Sequence, residues 1–149
     1  LRPDAVRERV ELTLGVVEPC AVRCSRGALA SLVGNLTRNA ISHMGDSPVR
    51  RVEVRVVVYK DRRRVEVADT GPGVRPSLGQ SIFEPFVRGD TRPDGVGLGL
   101  ATVRRLAEAH GGQAEFRCAP GGGSVFWFDI PVAGNGKRFW LSTLERRSV

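Results

Sequence analysis

The sequence predicts a two-layer α+β sandwich: a mixed, mostly antiparallel sheet covered on one face by helices. Three observations carry this. Residues 26–43 and 97–110 each place apolar side chains at helical spacing along one stripe, so each helix needs a surface to cover. Two pairs of β-rich runs are joined by short polar or glycine-rich turns, which read as two hairpins. The order is strand, strand, helix, hairpin, loop, helix, hairpin, and one-sided helices over strands linked by tight turns make two layers.

Each element has its own signal. Val6-Arg-Glu-Arg-Val-Glu-Leu-Thr-Leu14 alternates polar and apolar residues, the period of a half-buried strand. Ala21–Cys24 is a second short strand candidate, and Ser25 stands where a helix N-cap belongs. From Arg26 to His43 the stripe is Leu29, Leu32, Val33, Leu36 and Ala40, and Met44-Gly45-Asp46-Ser47-Pro48 breaks it. Val52–Tyr59 and Val65–Ala68 form a hairpin across Lys60-Asp61-Arg62. Residues 70–96 are rich in Gly, Pro, Asp and Arg without periodicity, the mark of a functional loop or lid. Gly97–His110 is the second helix, with Leu98, Ala101, Val103, Leu106 and Ala109 apolar and Gly111 as its stop. Gln113–Cys118 and Ser124–Ile130 close the domain around Pro120-Gly121-Gly122-Gly123. The domain is expected over 1–133. Residues 134–149 read as a C-terminal tail whose Phe139-Trp140-Leu141 suits docking on that domain, with a partner as the alternative.

The chain of 149 residues has the size of one domain with a buried core. A hydrophobic share of 41% with 26% charged residues excludes a disordered or fibrous chain. No apolar stretch reaches the roughly 20 residues of a membrane span, and the N-terminus is no signal peptide. The first residue is not Met, so an excised fragment is expected, with any membrane part outside it. Cys20, Cys24 and Cys118 lack a second ligand pair for zinc and read as reduced thiols of a cytoplasmic domain. The charge of +7 is nearly all arginine, with Arg50, Arg51, Arg55, Arg62, Arg63 and Arg64 around the first hairpin. No aromatic interleaves with them, so a solvated face is expected rather than a nucleic-acid surface.

Four sets of residues can carry chemistry. Asn35 and Asn39 are four apart and project about 40° from one another around the helix axis. An amide oxygen is a hard ligand suited to magnesium, although two polar residues bonding a neighbouring loop satisfy the same pattern. Asp69 closes an apolar strand, where a carboxylate can accept from the exocyclic amine of adenine. Gly71 and Gly73 beside it permit close backbone approach, but a plain turn also fits. Gly95-Val96-Gly97-Leu98-Gly99-Leu100 leads into a helix, whose N-terminal N–H groups form an anion site. It follows no strand, which disfavours a dinucleotide fingerprint, and there is no GxxxxGK[ST] phosphate loop. Arg88 and Arg92 lie just ahead of that turn, with forks suited to phosphate.

In this order the runs resemble the catalytic and ATP-binding domain of sensor histidine kinases, a branch of the Bergerat-fold ATPases. Asn35-Leu36-Thr37-Arg38-Asn39-Ala40 is similar to the N box of that family. Asp69-x-Gly71-x-Gly73 is similar to its G1 box, Phe83-Glu84-Pro85-Phe86 to its F box, and Gly95-Val96-Gly97-Leu98-Gly99-Leu100 to its G2 box. Gly111-Gly112 and Gly123-Ser124…Ile130-Pro131 also look like the family, and the resemblance covers about 6–132. The F box favours histidine kinases over the gyrase, chaperone and mismatch-repair branches.

The resemblance implies a Bergerat fold with an ATP lid. It implies that Asn39, supported by Asn35, holds Mg²⁺ and serves catalysis, while Asp69, Gly71 and Gly73 bind adenine. Gly95, Val96, Gly97, Leu98, Gly99 and Leu100 would shape the lid and its junction with the helix. Arg88, also catalytic, and Arg92 would touch the phosphates, and Ser124 joins the ATP-binding set. Phe83 and Phe86 would be lid anchors packing on the domain or its substrate helix.

Two departures stand out. Where many members carry a basic residue followed by Tyr or His, this chain has Ser42 and His43, so ATP would depend on Arg38 or a lid arginine for that charge. The phosphoacceptor of the family is a His followed by an acidic residue on a separate dimerisation domain. His43 precedes Met44 and His110 precedes Gly111, so neither fits, and His110 reads as a helix-terminal residue.

The implied function is binding of Mg-ATP and transfer of its γ-phosphoryl group to a histidine on that other domain. A response-regulator receiver domain would act downstream, in a full-length protein that is a homodimer. Rival readings are an anti-sigma-type serine kinase of the same fold, a degenerate nucleotide-binding regulatory module, and nucleic-acid binding through the arginine-rich hairpin.

Overall fold

A computed structural model describes residues 2–15, 21–59, 61–87 and 97–132. It contains α1 (Arg2–Arg7), β1 (Glu11–Leu14), α2 (Arg26–Ser42), β2 (Arg51–Val58), β3 (Arg62–Asp69), a 3-10 helix (Gly79–Phe83), α3 (Gly99–Ala109), β4 (Gln113–Cys118) and β5 (Ser124–Pro131). The strands form one sheet in the order β1-β2-β3-β5-β4. β1 runs parallel to β2, and every other neighbouring pair is antiparallel. The expected mixed, mostly antiparallel sheet is therefore present, with both hairpins, and β5 inserts between β3 and β4.

Alternation decides the two faces. Val52, Val54, Val65, Val67, Phe126, Phe128 and Ile130 point to one side and join Leu32, Val33, Leu36, Ala40 and Ile41 of α2 with Val103 and Ala107 of α3 in one core. Leu32 and Phe128 are completely buried, and each contributes about 2–3 kcal/mol of transfer free energy. Ser25 caps α2 as expected, its Oγ accepting from the Ala28 N–H at 3.1 Å. His43 and His110 are the C-caps of α2 and α3. Gly111, at φ +75°, supplies the left-handed turn that ends α3.

Several expected elements are corrected. The strand read over 6–14 begins only at Glu11, because residues 2–7 are helical. Arg9 adopts φ +53°, and the N–H of Val10 closes onto the Ala5 carbonyl at 2.8 Å, turning the chain into β1. The period-2 pattern misled because Val6 is exposed while Ala5 and Val10 are buried. Ala21–Cys24 is reduced to a bridge between Val22 and Val132. β3 starts at Arg62, not Val65, since Arg62–Arg64 pair with Asp129–Pro131. Within the irregular stretch lies the 3-10 helix, and α3 begins at Gly99 rather than Gly97. Gly97 is a turn at φ +72°, and Leu98 is exposed rather than part of the buried stripe.

The face opposite the helices also departs from expectation. Arg55 pairs with Glu66 at 2.7 Å, Arg62 and Arg64 with Asp129 at 2.8 and 3.6 Å, and Arg117 with Glu66 at 3.6 Å. The Arg64 guanidinium lies 3.5 Å from the Trp127 ring centre and 5.0 Å from that of Tyr59. Glu66 and Asp129 are buried. This is a half-buried ionic and cation–π lattice, not a freely solvated arginine face; Trp127 comes from β5, and Tyr59 stands between Arg55 and Arg62, so an aromatic does interleave with these arginines. Cys20 and the tail 134–149 lie outside the described residues.

Candidate functional site

A cavity of about 800 Å³ opens between α2, the loop after β3, the 3-10 helix and the start of α3. That volume lies within the usual range of small-molecule sites. Its floor is the end of β3. The Asp69 Oδ1 accepts the backbone N–H of Gly71 at 2.9 Å and of Ser124 at 3.2 Å. Both bonds fall on Oδ1, so among the described residues Oδ2 keeps its lone pairs for a ligand. Burial pushes the Asp69 carboxyl above its ordinary range, while the two N–H groups and the nearby His43 hold it back.

Glycine is required around this carboxylate. A Cβ on Gly71 would lie 2.8 Å from the His43 carbonyl oxygen, and one on Gly123, at φ +88°, would fall inside the Asp69 carbonyl group. These contacts lock the end of β3 between the α2 terminus and the β4–β5 turn.

α2 supplies the opposite wall. Asn35, Arg38, Asn39, Ser42 and His43 all line the cavity. The Asn35 Oδ1 accepts from Arg38 Nη2 at 2.8 Å, and its Nδ2 lies 3.4 Å from Ser31 Oγ. The Asn39 backbone carbonyl accepts the His43 N–H at 3.0 Å and stands 2.9 Å from His43 Nδ1. No side-chain hydrogen bond holds the Asn39 amide among the described residues. At the third side the first turn of α3 arrives with no side-chain cap among the described residues, and its N–H groups suit an anion.

Of the residues singled out from sequence, Asn35, Asn39, Ser42, His43, Asp69, Gly73, Gly97, Leu98, Gly99, Leu100 and Ser124 line this one cavity. Gly71 stands behind Asp69 rather than in the wall. Phe83 is buried in the core, edge-on to Phe126 at 6.1 Å and beneath the Arg104 guanidinium at 4.4 Å. Phe86 is 70% exposed at φ +65°, a strained value for an aromatic residue, and its N–H bonds the Gly97 carbonyl at 3.0 Å. Arg88, Arg92, Gly95 and Val96 lie outside the described residues.

Sequence reasoning missed part of the wall. Val74, Leu78, Ile82 and Phe126 give an apolar side against which a flat ring can pack, and Arg75 adds a cation. Arg75 follows Gly73 by two residues, a signal that was available; the apolar residues carried none, because they come from three separate segments. Among the described residues no group of three His, Cys, Asp or Glu side chains could hold a metal ion. A cation here would thus depend on an amide and on oxygens brought by a ligand, the pattern magnesium adopts with phosphates.

The model of the histidine kinase-, DNA gyrase B- and HSP90-like ATPase family matches residues 25–134. The chain is 37% identical over 136 residues to the sensor histidine kinase ZraS of Klebsiella oxytoca, covering 90% of this chain and 29% of that protein. It is 32% identical over 129 residues to the alginate biosynthesis sensor protein KinB of Pseudomonas aeruginosa, covering 87% and 21%. The chain thus spans less than a third of either relative. Among solved structures, a mycobacterial sensor histidine kinase, MprB, aligns at TM-score 0.75 and 28% identity, over 88% of this chain and 90% of that one. Full-length ShkA in complex with AMPPNP aligns at 0.68 and 32%, over 89% and 28%.

Proposed function

The chain belongs to the histidine kinase-, DNA gyrase B- and HSP90-like ATPase family, on its histidine kinase branch, and from that premise we propose that it binds Mg-ATP and presents the γ-phosphoryl group to a histidine on another domain of the same receptor. The observation that carries this reading is the fixed Asp69 carboxylate, with Oδ2 left for a ligand, across one cavity from the Asn39 amide. ZraS and MprB are sensor histidine kinases by name, which favours histidine over serine as acceptor.

In this reading the Asp69 Oδ2 accepts from the exocyclic amine of adenine, and Val74, Ile82 and Phe126 pack against the ring. Gly73 and Ser124 bound the base, and Ser42 and His43 lie beside it on α2. The stretch from Gly97 to Leu100, which leads into the first turn of α3, directs N–H groups at the phosphates. Asn39 holds Mg²⁺, with Asn35 in support, and the ion when bound neutralises charge on the phosphate oxygens. The chain's own contribution is positioning and exclusion of water, since phosphoryl transfer asks little covalent work of the protein. Arg88 and Arg92 add charge at the phosphate end, and Gly95 and Val96 belong to the lid. The acceptor imidazole attacks in its neutral form.

The remaining assignments follow the same reading. The acceptor lies on a helical dimerisation domain, the whole protein is a cytoplasm-facing homodimer, and a response-regulator receiver domain takes the phosphoryl group onward. Residues 1–133 form the catalytic unit and 134–149 an appended tail.

Calorimetric titration with ATP and with ADP in Mg²⁺ tests the binding half: saturable binding is expected, and none would refute it. Adding a helical domain with a His-Glu or His-Asp acceptor tests transfer. Acid-labile phosphate on that domain is expected, whereas binding without transfer would reduce the chain to a regulatory module.

A further inference from the structure

We infer that Arg38 binds the terminal phosphoryl group of the nucleotide, seated by Gly34 and oriented by Asn35, which leaves Asn39 as the amide for the metal. The inference rests on reading the cavity as a nucleotide site, and it assigns that site's terminal-phosphate contact.

The seat comes first. Arg38 is exposed on α2, and its side chain runs back toward the helix N-terminus, the direction helical side chains favour. A Cβ on Gly34 would find its three nearest neighbours in one group: Arg38 Nη1 at 3.3 Å, Nη2 at 3.7 Å and Cζ at 3.8 Å. The guanidinium therefore lies over the one residue of that turn without a side chain. Glycine inside a helix is disfavoured, so a glycine that makes room for a cation calls for a use of the cation.

Orientation comes second. Arg38 Nη2 donates to Asn35 Oδ1 at 2.8 Å, and the same Oδ1 lies 3.8 Å from where a Cβ of Gly99 would be. The amide–guanidinium pair thus stands at the first, uncapped turn of α3. Its partner is a neutral amide, and among the described residues no carboxylate pairs with Arg38. Among the described residues one of its five donors is engaged, so the planar fork is left for a doubly accepting group such as phosphate.

Position comes third. Ser42 lies one helical turn beyond Arg38 and about 40° around the axis, so the two share a face, on which Arg38 carries the charge and Ser42 has none. Arg75, the other described arginine in the cavity wall, follows Gly73 on the loop leaving Asp69. The α2–α3 end has Arg38. Because a cation already donates to Asn35 Oδ1, where a metal ion would meet like charge, while no described side-chain bond holds the Asn39 amide, Asn35 becomes a positioning residue and the metal falls to Asn39.

The test measures dissociation constants for ATP and ADP in Mg²⁺ by calorimetry, for the wild type, Arg38→Met, Arg38→Lys and Asp69→Asn, with thermal melts as a check on folding. Arg38→Met should weaken ATP about tenfold or more while leaving ADP nearly unchanged, and Arg38→Lys should recover part of the loss. A merely structural role would move both nucleotides together. Equal losses for ATP and ADP, or no loss, overturn the inference. If Asp69→Asn abolishes binding while Arg38→Met leaves the ATP/ADP ratio unchanged, the nucleotide reading stands and this inference alone fails. If the wild type binds neither nucleotide, both fail.

Discussion

Replacing Asp69 with asparagine separates binding from stability at one position. Oδ1 accepts two backbone N–H groups, at 2.9 Å from Gly71 and 3.2 Å from Ser124, and an amide carbonyl in its place can keep both. The new NH₂ group then takes the place of Oδ2 and points a donor at the donor amine of adenine. A hydrogen bond to a charged acceptor contributes about 1.5–3 kcal/mol net. Its loss alone weakens binding about 10- to 100-fold, and the donor–donor contact pushes toward the upper end.

Stability should respond in the opposite sense. Burial raises the folded pKa of Asp69 above the ordinary 3.8, so the folded state disfavours the charge. The contribution of this group to stability is therefore full below the unfolded pKa and lost as pH rises through the folded one. The substituted amide carries no charge, so the Asp69→Asn variant should melt at or above the wild-type temperature at neutral pH. Nucleotide affinity of the wild type requires the ionised carboxylate and should fall as pH drops through the folded pKa; in Asp69→Asn that dependence should vanish. Calorimetry across pH with parallel melts reads both quantities. Unchanged affinity with a large drop in melting temperature would show that Asp69 is structural and refute the reasoning.

Three further substitutions probe the scaffold. Gly123→Ala places a Cβ inside the Asp69 carbonyl group and should cost about 3 kcal/mol or more. Gly121→Ala, at φ +87° with nothing within 4 Å, should cost only the left-handed backbone penalty of about 1–2 kcal/mol; urea denaturation that reverses this order contradicts the packing of the β4–β5 turn on β3. Ser25→Ala removes the Oγ that caps α2 and should cost about 1 kcal/mol in the same assay, and no change would mean the cap is not formed in solution. Asp129→Ala strips the buried partner from Arg62 and Arg64 and should cost about 3 kcal/mol, nearly independent of salt; a loss that high salt removes would mean a solvated pair.

The parts legible from sequence were those whose signal is local. The α2 stripe, its Ser25 cap and its C-terminal break are all set by residues within one or two turns, and the observed Arg26–Ser42 helix follows them closely. The two hairpins were legible for the same reason. Arg62 and Arg64 did not read as strand because the groups that receive their charges lie far along the chain: Asp129 is 67 residues from Arg62, and Trp127 is similarly remote from Arg64, while Arg63 bonds the nearby Tyr59 carbonyl. Three successive arginines look like solvent-facing loop until a carboxylate on the neighbouring strand pairs with the first and the third. The cavity followed the same rule. Asn39, Asp69 and Gly99 announced themselves by residue type and spacing, but Val74 and Ile82 reach it from the loop and 3-10 helix after β3, and Phe126 lines it because β5 passes beside β3.

The two ends of the cavity are built in different ways, and the difference bears on how such a site can work. At Asp69 the restraints among the described residues are backbone: two N–H donors, a glycine with no room for a Cβ against α2, and another against the turn from β4. A group held by main chain at the end of the sheet's central strand cannot move without moving that strand, so this end suits recognition of an invariant part of a ligand. At the α2–α3 end the restraints are side chains, Asn35 on Arg38 and an Asn39 amide without a described partner, against an uncapped helix start. Side chains of that kind reorient at little cost in packing, as is needed where the charge and length of a ligand change during a reaction. A rigid grip on the base and an adjustable grip on the phosphates together allow substrate and product to share one pocket and differ in hold at one end only. The ATP/ADP ratio should therefore be tuned from α2, and the affinity common to both from Asp69.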